Sequence, residues 1–177
     1  MSTEHLIALL LRAPLFAGLT GAQLAEIARS AEQIGFMPGA SVVKAGQPGD
    51  GAYLVVSGSV ERLAGADRSA ARERHGPGAL IGEMAMLIEH NYTATFIAAE
   101  RVICLKLTRA AMHAHMRRDA ALIEHFQRRI TERLTRMSEE LRQMESALAA
   151  REAKPAKSPA QVAPVPVRFV AASRSWR

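Results

Sequence analysis

The sequence has one cysteine, Cys104, so no internal disulfide can form and the fold must be held by packing. A lone thiol also fits a reducing compartment. Aromatic residues make up only 5% of the chain, with two tyrosines and one tryptophan. No apolar run approaches the roughly 18 residues that a membrane-spanning helix needs. The opening MSTEHLIALLLRAPLF lacks the basic head and small-residue cleavage site of a secretory leader. These absences lead to the expectation of a cytoplasmic protein without membrane association. A metal centre is not expected either. His113 and His115 fall in a stretch read as helix, where positions i and i+2 point apart, and His125 has no matching carboxylate pattern. No nucleophile–base constellation is visible, so the chain is read as a non-enzyme.

What is present begins with length. At 177 residues, 49% of them apolar, the chain can bury one good core with appendages but not two large domains. Its 23 basic against 17 acidic residues leave a net charge of +6. Five of those charges, Lys154, Lys157, Arg168, Arg174 and Arg177, follow Glu152, where no acid remains. The body is therefore nearly neutral and the basicity belongs to the tail.

Residues 4 to about 33 carry apolar positions at helical spacing, interrupted by Pro14 and Gly18, which predicts two or three short helices. From residue 35 to 107 the pattern changes to short apolar runs at 41–43, 53–56, 60–63, 79–81, 93–98 and 102–107. Glycine and proline punctuate them, as in Pro38-Gly39, Pro48-Gly49-Asp50-Gly51 and Gly76-Pro77-Gly78. Such spacing predicts a small β-barrel or sandwich of jelly-roll type. Residues 119–153 contain neither Pro nor Gly, and their apolar residues Ile123, Phe126, Ile130, Leu134, Met137, Leu141, Met144 and Leu148 recur every three or four positions. From Ile130 on these are heptad spacings, which predict a coiled-coil seam pairing two copies through 119–150. The alternative is one amphipathic helix lying on its own barrel. Arginines between 117 and 136 interleave with Asp119, Glu124 and Glu132 and read as a solvated, salt-bridged face. Cys104 reads as a small buried apolar residue. Residues 154–177 hold four prolines and no period, which predicts a disordered, basic, Pro-rich tail.

One segment carries chemistry. In Gly76-Pro77-Gly78-Ala79-Leu80-Ile81-Gly82-Glu83-Met84-Ala85, the step from Gly82 through Glu83 to a small residue suits a tight turn or helix start. Unpaired N–H groups there can converge on an anion. A carboxylate beside an anion site calls for a hydroxyl, and a ribose 2′-OH would supply one. Alternatively, the segment is a strand-to-helix turn with a surface glutamate.

Over residues 11 to 145 the chain resembles the cyclic nucleotide-binding domain family, which includes the catabolite activator protein group and cyclic nucleotide-gated kinases and channels. The likeness is carried by Pro14-Leu15-Phe16, by Pro38-Gly39 through Gly46, and by Gly49-Asp50-Gly51 with Tyr53-Leu54-Val55 and Ser57-Gly58. The cassette from Gly76 to Ala85 follows, then Thr93-Ala94-Thr95. The resemblance implies an α+β fold: a β-roll (double-stranded β-helix or jelly roll) with flanking N-terminal helices and a long C-terminal helix. It divides the chain into N-terminal helices (1–34), the roll with its phosphate-binding cassette (35–108), C-terminal helices including a dimerisation helix (109–153) and the tail. It also implies that Glu83 accepts the ribose 2′-OH and that the backbone of 82–85, including Met84, meets ribose and phosphate. Thr93 would contact the phosphate, and Ser138 on the long helix would contact the base. Met137 stands where the family has a threonine.

The family places an arginine before that threonine, and here the residue is Tyr92. A cyclic phosphate keeps one negative charge, and a charge-assisted arginine contact contributes about 1.5–3 kcal/mol, so its loss weakens binding roughly ten- to a hundred-fold or more. The resemblance therefore implies a stand-alone regulatory module that senses a cyclic nucleotide (cAMP or cGMP) or a related ligand with low affinity. It would signal through its C-terminal helix to a protein partner that the sequence does not name. A second reading is a ligand-free interaction scaffold with a degenerate pocket. A third is a regulator that contacts DNA through its basic tail. The 24 residues after Ala153 are fewer than the roughly 60 to 80 of a winged helix-turn-helix, and the tail is read as solvated rather than as a nucleic-acid arm.

Overall fold

Local chemistry sets each helix. Ser2 caps α1 (Thr3–Leu10), its hydroxyl accepting from the His5 N–H at 3.3 Å. Pro14 opens a single 3-10 turn (Pro14–Phe16). Thr20 and Gln23 then form a reciprocal capping box at the start of α2 (Gly21–Ser30). The short helices are those the interrupted period predicts, but α2 ends at Ser30 and residues 32–36 are strand.

Ten strands follow in the computed structural model, which describes residues 2–63 and 73–152. These are β1 (Glu32–Phe36), β2 (Ser41–Val43), β3 (Pro48–Gly49), β4 (Gly51–Ser57), β5 (Val60–Leu63), β6 (Glu73–His75), β7 (Leu80–Ile81), β8 (His90–Asn91), β9 (Thr95–Ala98) and β10 (Val102–Thr108). All pairings are antiparallel, in two four-stranded sheets, β1-β10-β4-β7 and β2-β9-β5-β6, with β3-β8 as a small third ladder. Two helices complete the described residues, α3 (Arg109–Arg118) and α4 (Ala120–Glu152). The disordered tail expected at 154–177 lies outside the described residues.

Strand alternation sorts the core into two layers. On β4, Ala52, Leu54 and Val56 face the helices, while Val55 faces the roll interior; on β10, Leu105 and Leu107 take the first side and Val102 and Cys104 the second. Leu10, Phe16, Leu24, Ile27, Met112, Leu122 and Phe126 fill the helical side. Cys104, fully buried between Ile34 and Val55 in register, behaves as the small apolar residue expected. Burial pushes its thiol up from 9.0 to about 12. The stability that depends on the neutral thiol is therefore complete below 9.0 and is lost progressively as pH rises from there to about 12. Native protein is expected to resist a thiol-reactive dye at pH 8 and to react fully in denaturant; rapid native labelling would contradict this burial.

The structure divides into two compact units, residues 1–134 and 135–177. In the first, Leu122 and Phe126 of α4 are buried and Ile130 packs on the same core, so this stretch of the helix lies on its own domain. In the second, Met137, Leu141, Met144 and Leu148 are all about half exposed. The arginine run is not simply a solvated face. Arg129 donates to the Ala17 carbonyl at 2.5 Å as well as pairing with Glu132, and Arg133 pairs with Glu83.

Candidate functional site

Strand β7 ends at Ile81, and Gly82 turns the chain with φ +72°, a left-handed conformation that only glycine adopts at little cost. Residues Glu83–Met86 then form a single 3-10 turn, in which the Ala85 N–H donates to the Gly82 carbonyl at 3.0 Å. The Glu83 side chain is 22% exposed and its carboxylate is engaged by Arg133. Ala85 is buried at 1%, and Met84 is half-buried. The chain returns through β8, which pairs with β3, bringing His90 opposite Gly49 and Asn91 opposite Pro48.

Tyr92 ends this return. Its backbone is fixed on both sides, the N–H donating to the Gln47 carbonyl at 3.0 Å and the carbonyl accepting from the Gly46 N–H at 2.8 Å. The side chain turns inward, is 9% exposed, and joins the roll-interior cluster with Val55, Ile81 and Ala85. Its hydroxyl donates to the Gly51 carbonyl at 2.9 Å. A Cβ on Gly82 would lie 2.6 Å from the ring, and one on Gly49 would lie 3.1 Å from it and 2.4 Å from the Ala85 methyl. Burial first, then the potentials of Tyr53 and Asp50, push the Tyr92 phenol above its ordinary 10.0. It is thus a neutral donor spent on backbone. Thr93, next along, is exposed.

Six of the predicted site residues, Gly82, Glu83, Met84, Ala85, Tyr92 and Thr93, therefore converge on one turn and its return strand. The seventh, Ser138, is an exposed residue of α4 in the second unit. An open cleft of about 770 Å³ is lined by Tyr92 and Thr93 together with His90, Asn91 and Arg109. Residues 82–85 do not line it, so it adjoins the cassette without being the interior pocket.

Sequence reasoning did not find Arg109. Its Nη1 donates to the carbonyls of Gly49, Ala85 and Ile88 at 2.9, 3.4 and 3.1 Å, clamping the cassette to the β3 strand. One signal could have exposed it: a cation as the first residue of a helix opposes the helix dipole, so it must have partners elsewhere. Lys106 is similarly occupied, donating to Asp50 at 2.5 Å. The histidines are structural contacts: His113 lies 2.7 Å from the Leu87 carbonyl, His115 2.8 Å from the Ser30 hydroxyl, and His125 2.9 Å from the Leu15 carbonyl. Among the described residues no cluster of metal-ligating side chains occurs, and no helix is long and apolar enough to cross a membrane.

A β-roll whose cassette opens on a left-handed glycine followed by a carboxylate defines a class, and comparison with known proteins gives the same one. Residues 33–119 match the family described as "Cyclic nucleotide-binding domain", and this part of the chain belongs to that family. A cyclic nucleotide-gated potassium channel of Mesorhizobium japonicum is 33% identical over 120 residues, which cover 68% of this chain and 32% of the channel. The N-terminal domain of a transcriptional regulator from Streptomyces coelicolor superposes with a TM-score of 0.68 at 27% identity, covering 75% of this chain and 93% of that one. The catabolite activator protein of Thermus thermophilus gives 0.62 at 26% identity, covering 75% and 63%. The chain spans only about a quarter to a third of the length of the curated relatives it matches.

Proposed function

We propose that this is a regulatory, non-catalytic domain that senses a cyclic nucleotide or a related ligand at the cassette, with binding weakened and altered by Tyr92. The observation that carries this reading is the inward Tyr92 side chain, with its hydroxyl on Gly51, beside a cassette that otherwise keeps Gly82 and Glu83 in place. Ribose fits the Glu83 carboxylate, whereas the cyclic phosphate does not meet a free cation at position 92. Backbone of 82–85 and Thr93 would serve the phosphate, and Ser138 the base. Occupancy would compete with Arg133 for Glu83 and so bear on α4, which gives a physical route from ligand to helix. Dimerisation through 119–150, a cytoplasmic location and a separate protein partner belong to the same proposal.

Calorimetric titration of the full chain with cAMP and cGMP tests it. The expected result is binding about ten- to a hundred-fold weaker than at an arginine-bearing site of the family. No heat and no thermal stabilisation at millimolar ligand would remove cyclic nucleotides as the signal. A second reading is favoured by the same tyrosine: an interaction scaffold whose pocket is filled by its own side chain. Deleting residues 154–177 would then abolish partner capture while ligand has no effect.

A further inference from the structure

The interior of the cassette is already occupied, and the occupant is built into the backbone around it. The Tyr92 ring lies against Gly82 and Gly49, and its hydroxyl is used by Gly51, so three glycines from two separate segments receive one side chain. Any anion taking this place would have to expel the ring and leave the Gly51 carbonyl without its donor. Among the described residues, Arg109 bonds three carbonyls through Nη1, Lys106 bonds Asp50 and Arg133 pairs with Glu83. Asp50 adds negative potential at the ring itself. The carboxylate of Glu83, by contrast, stands on the cassette, paired with an Arg133 side chain that is 58% exposed and therefore screened by solvent.

Resting on the ligand-sensing reading above, we infer that Tyr92 is a specificity-determining residue. It fills in cis the position of an anionic group and turns the cassette toward an uncharged ribonucleoside, whose vicinal diol Glu83 would accept.

Titrating the full chain in parallel with adenosine, guanosine, their 3′,5′-cyclic monophosphates and 2′-deoxyadenosine tests this. Each nucleoside is expected to bind at least as tightly as its cyclic phosphate, and 2′-deoxyadenosine about ten-fold or more below adenosine, as loss of a carboxylate–hydroxyl bond requires. Tyr92→Arg is expected to reverse the order, with the cyclic phosphates gaining roughly ten- to a hundred-fold over the nucleosides. Tyr92→Phe, which keeps the ring, should retain the nucleoside preference. If the arginine variant does not fold, the wild-type order and the phenylalanine variant still decide. A wild-type preference for cyclic phosphate of ten-fold or more overturns this inference and leaves the ligand-sensing reading standing. Absence of binding by every ligand at millimolar concentration overturns both.

Discussion

Replacing Phe126 by alanine is expected to destabilise residues 1–134 by about 3–5 kcal/mol, the usual cost of deleting a buried phenylalanine that its surroundings cannot refill. Phe126 is 2% exposed, sits edge-on to Phe16 at 6.1 Å between ring centres, and contacts the ring of His125, itself held by the Leu15 carbonyl. Its loss removes a buried apolar tie between α4 and the N-terminal helices. Denaturant unfolding followed by circular dichroism reads the change. A cost below about 1 kcal/mol would mean that α4 does not dock on its own domain. Leu141→Ala provides the contrast: that side chain is 57% exposed. The unfolding of residues 1–134 should stay within about 0.5 kcal/mol, as at ordinary surface positions. Concentration-dependent helix association should weaken if the seam pairs two copies.

Gly82→Ala is expected to cost about 2–4 kcal/mol, from two sources. The left-handed backbone at φ +72° penalises any Cβ by roughly 1–2 kcal/mol. The new methyl would also press within 2.6 Å of the Tyr92 ring, which is boxed in by Gly49 and cannot retreat without giving up its bond to Gly51. A double-mutant cycle with Tyr92→Ala separates the two contributions. The steric part should disappear in the double variant, giving a coupling of about 0.5–3 kcal/mol, while the backbone part persists. Strict additivity would show that the tyrosine ring does not occupy the space beneath Gly82, and would remove the basis for its role in ligand choice.

The parts of the fold legible in the sequence are those whose cause is local. The apolar runs at 41–43 and 60–63 coincide with β2 and β5, and the run at 102–107 lies within β10. The Pro- and Gly-free stretch from 119 is α4 almost to the residue. Strands β3, β6 and β8 escaped because they carry no aliphatic residue at all; Glu73–His75, for example, is strand only because Arg74 and His75 pair with Glu61 and Val60. In β1 only Ile34 and Phe36 are apolar, and its state follows from pairing with β10, more than sixty residues away.

The heptad pattern shows the same division within one helix. Its spacing reads as a single continuous seam, yet the structure buries Phe126 against Phe16 and leaves Leu134, Met137 and Leu141 at least 49% exposed. Periodicity states which side chains share a face; it does not state what that face meets.

The candidate site divides likewise. Sequence alone determined that the cassette has the glycine able to turn left-handed, the carboxylate after it, and no arginine at position 92, because charge and backbone freedom are properties of the residues themselves. Only the tertiary structure decided that Tyr92 turns inward onto Gly51, that Arg109 ties three carbonyls together through Nη1, and that Arg133 reaches Glu83. Each of those outcomes pairs a donor with an acceptor at least twenty residues away, and only the folded chain brings such groups within bonding distance.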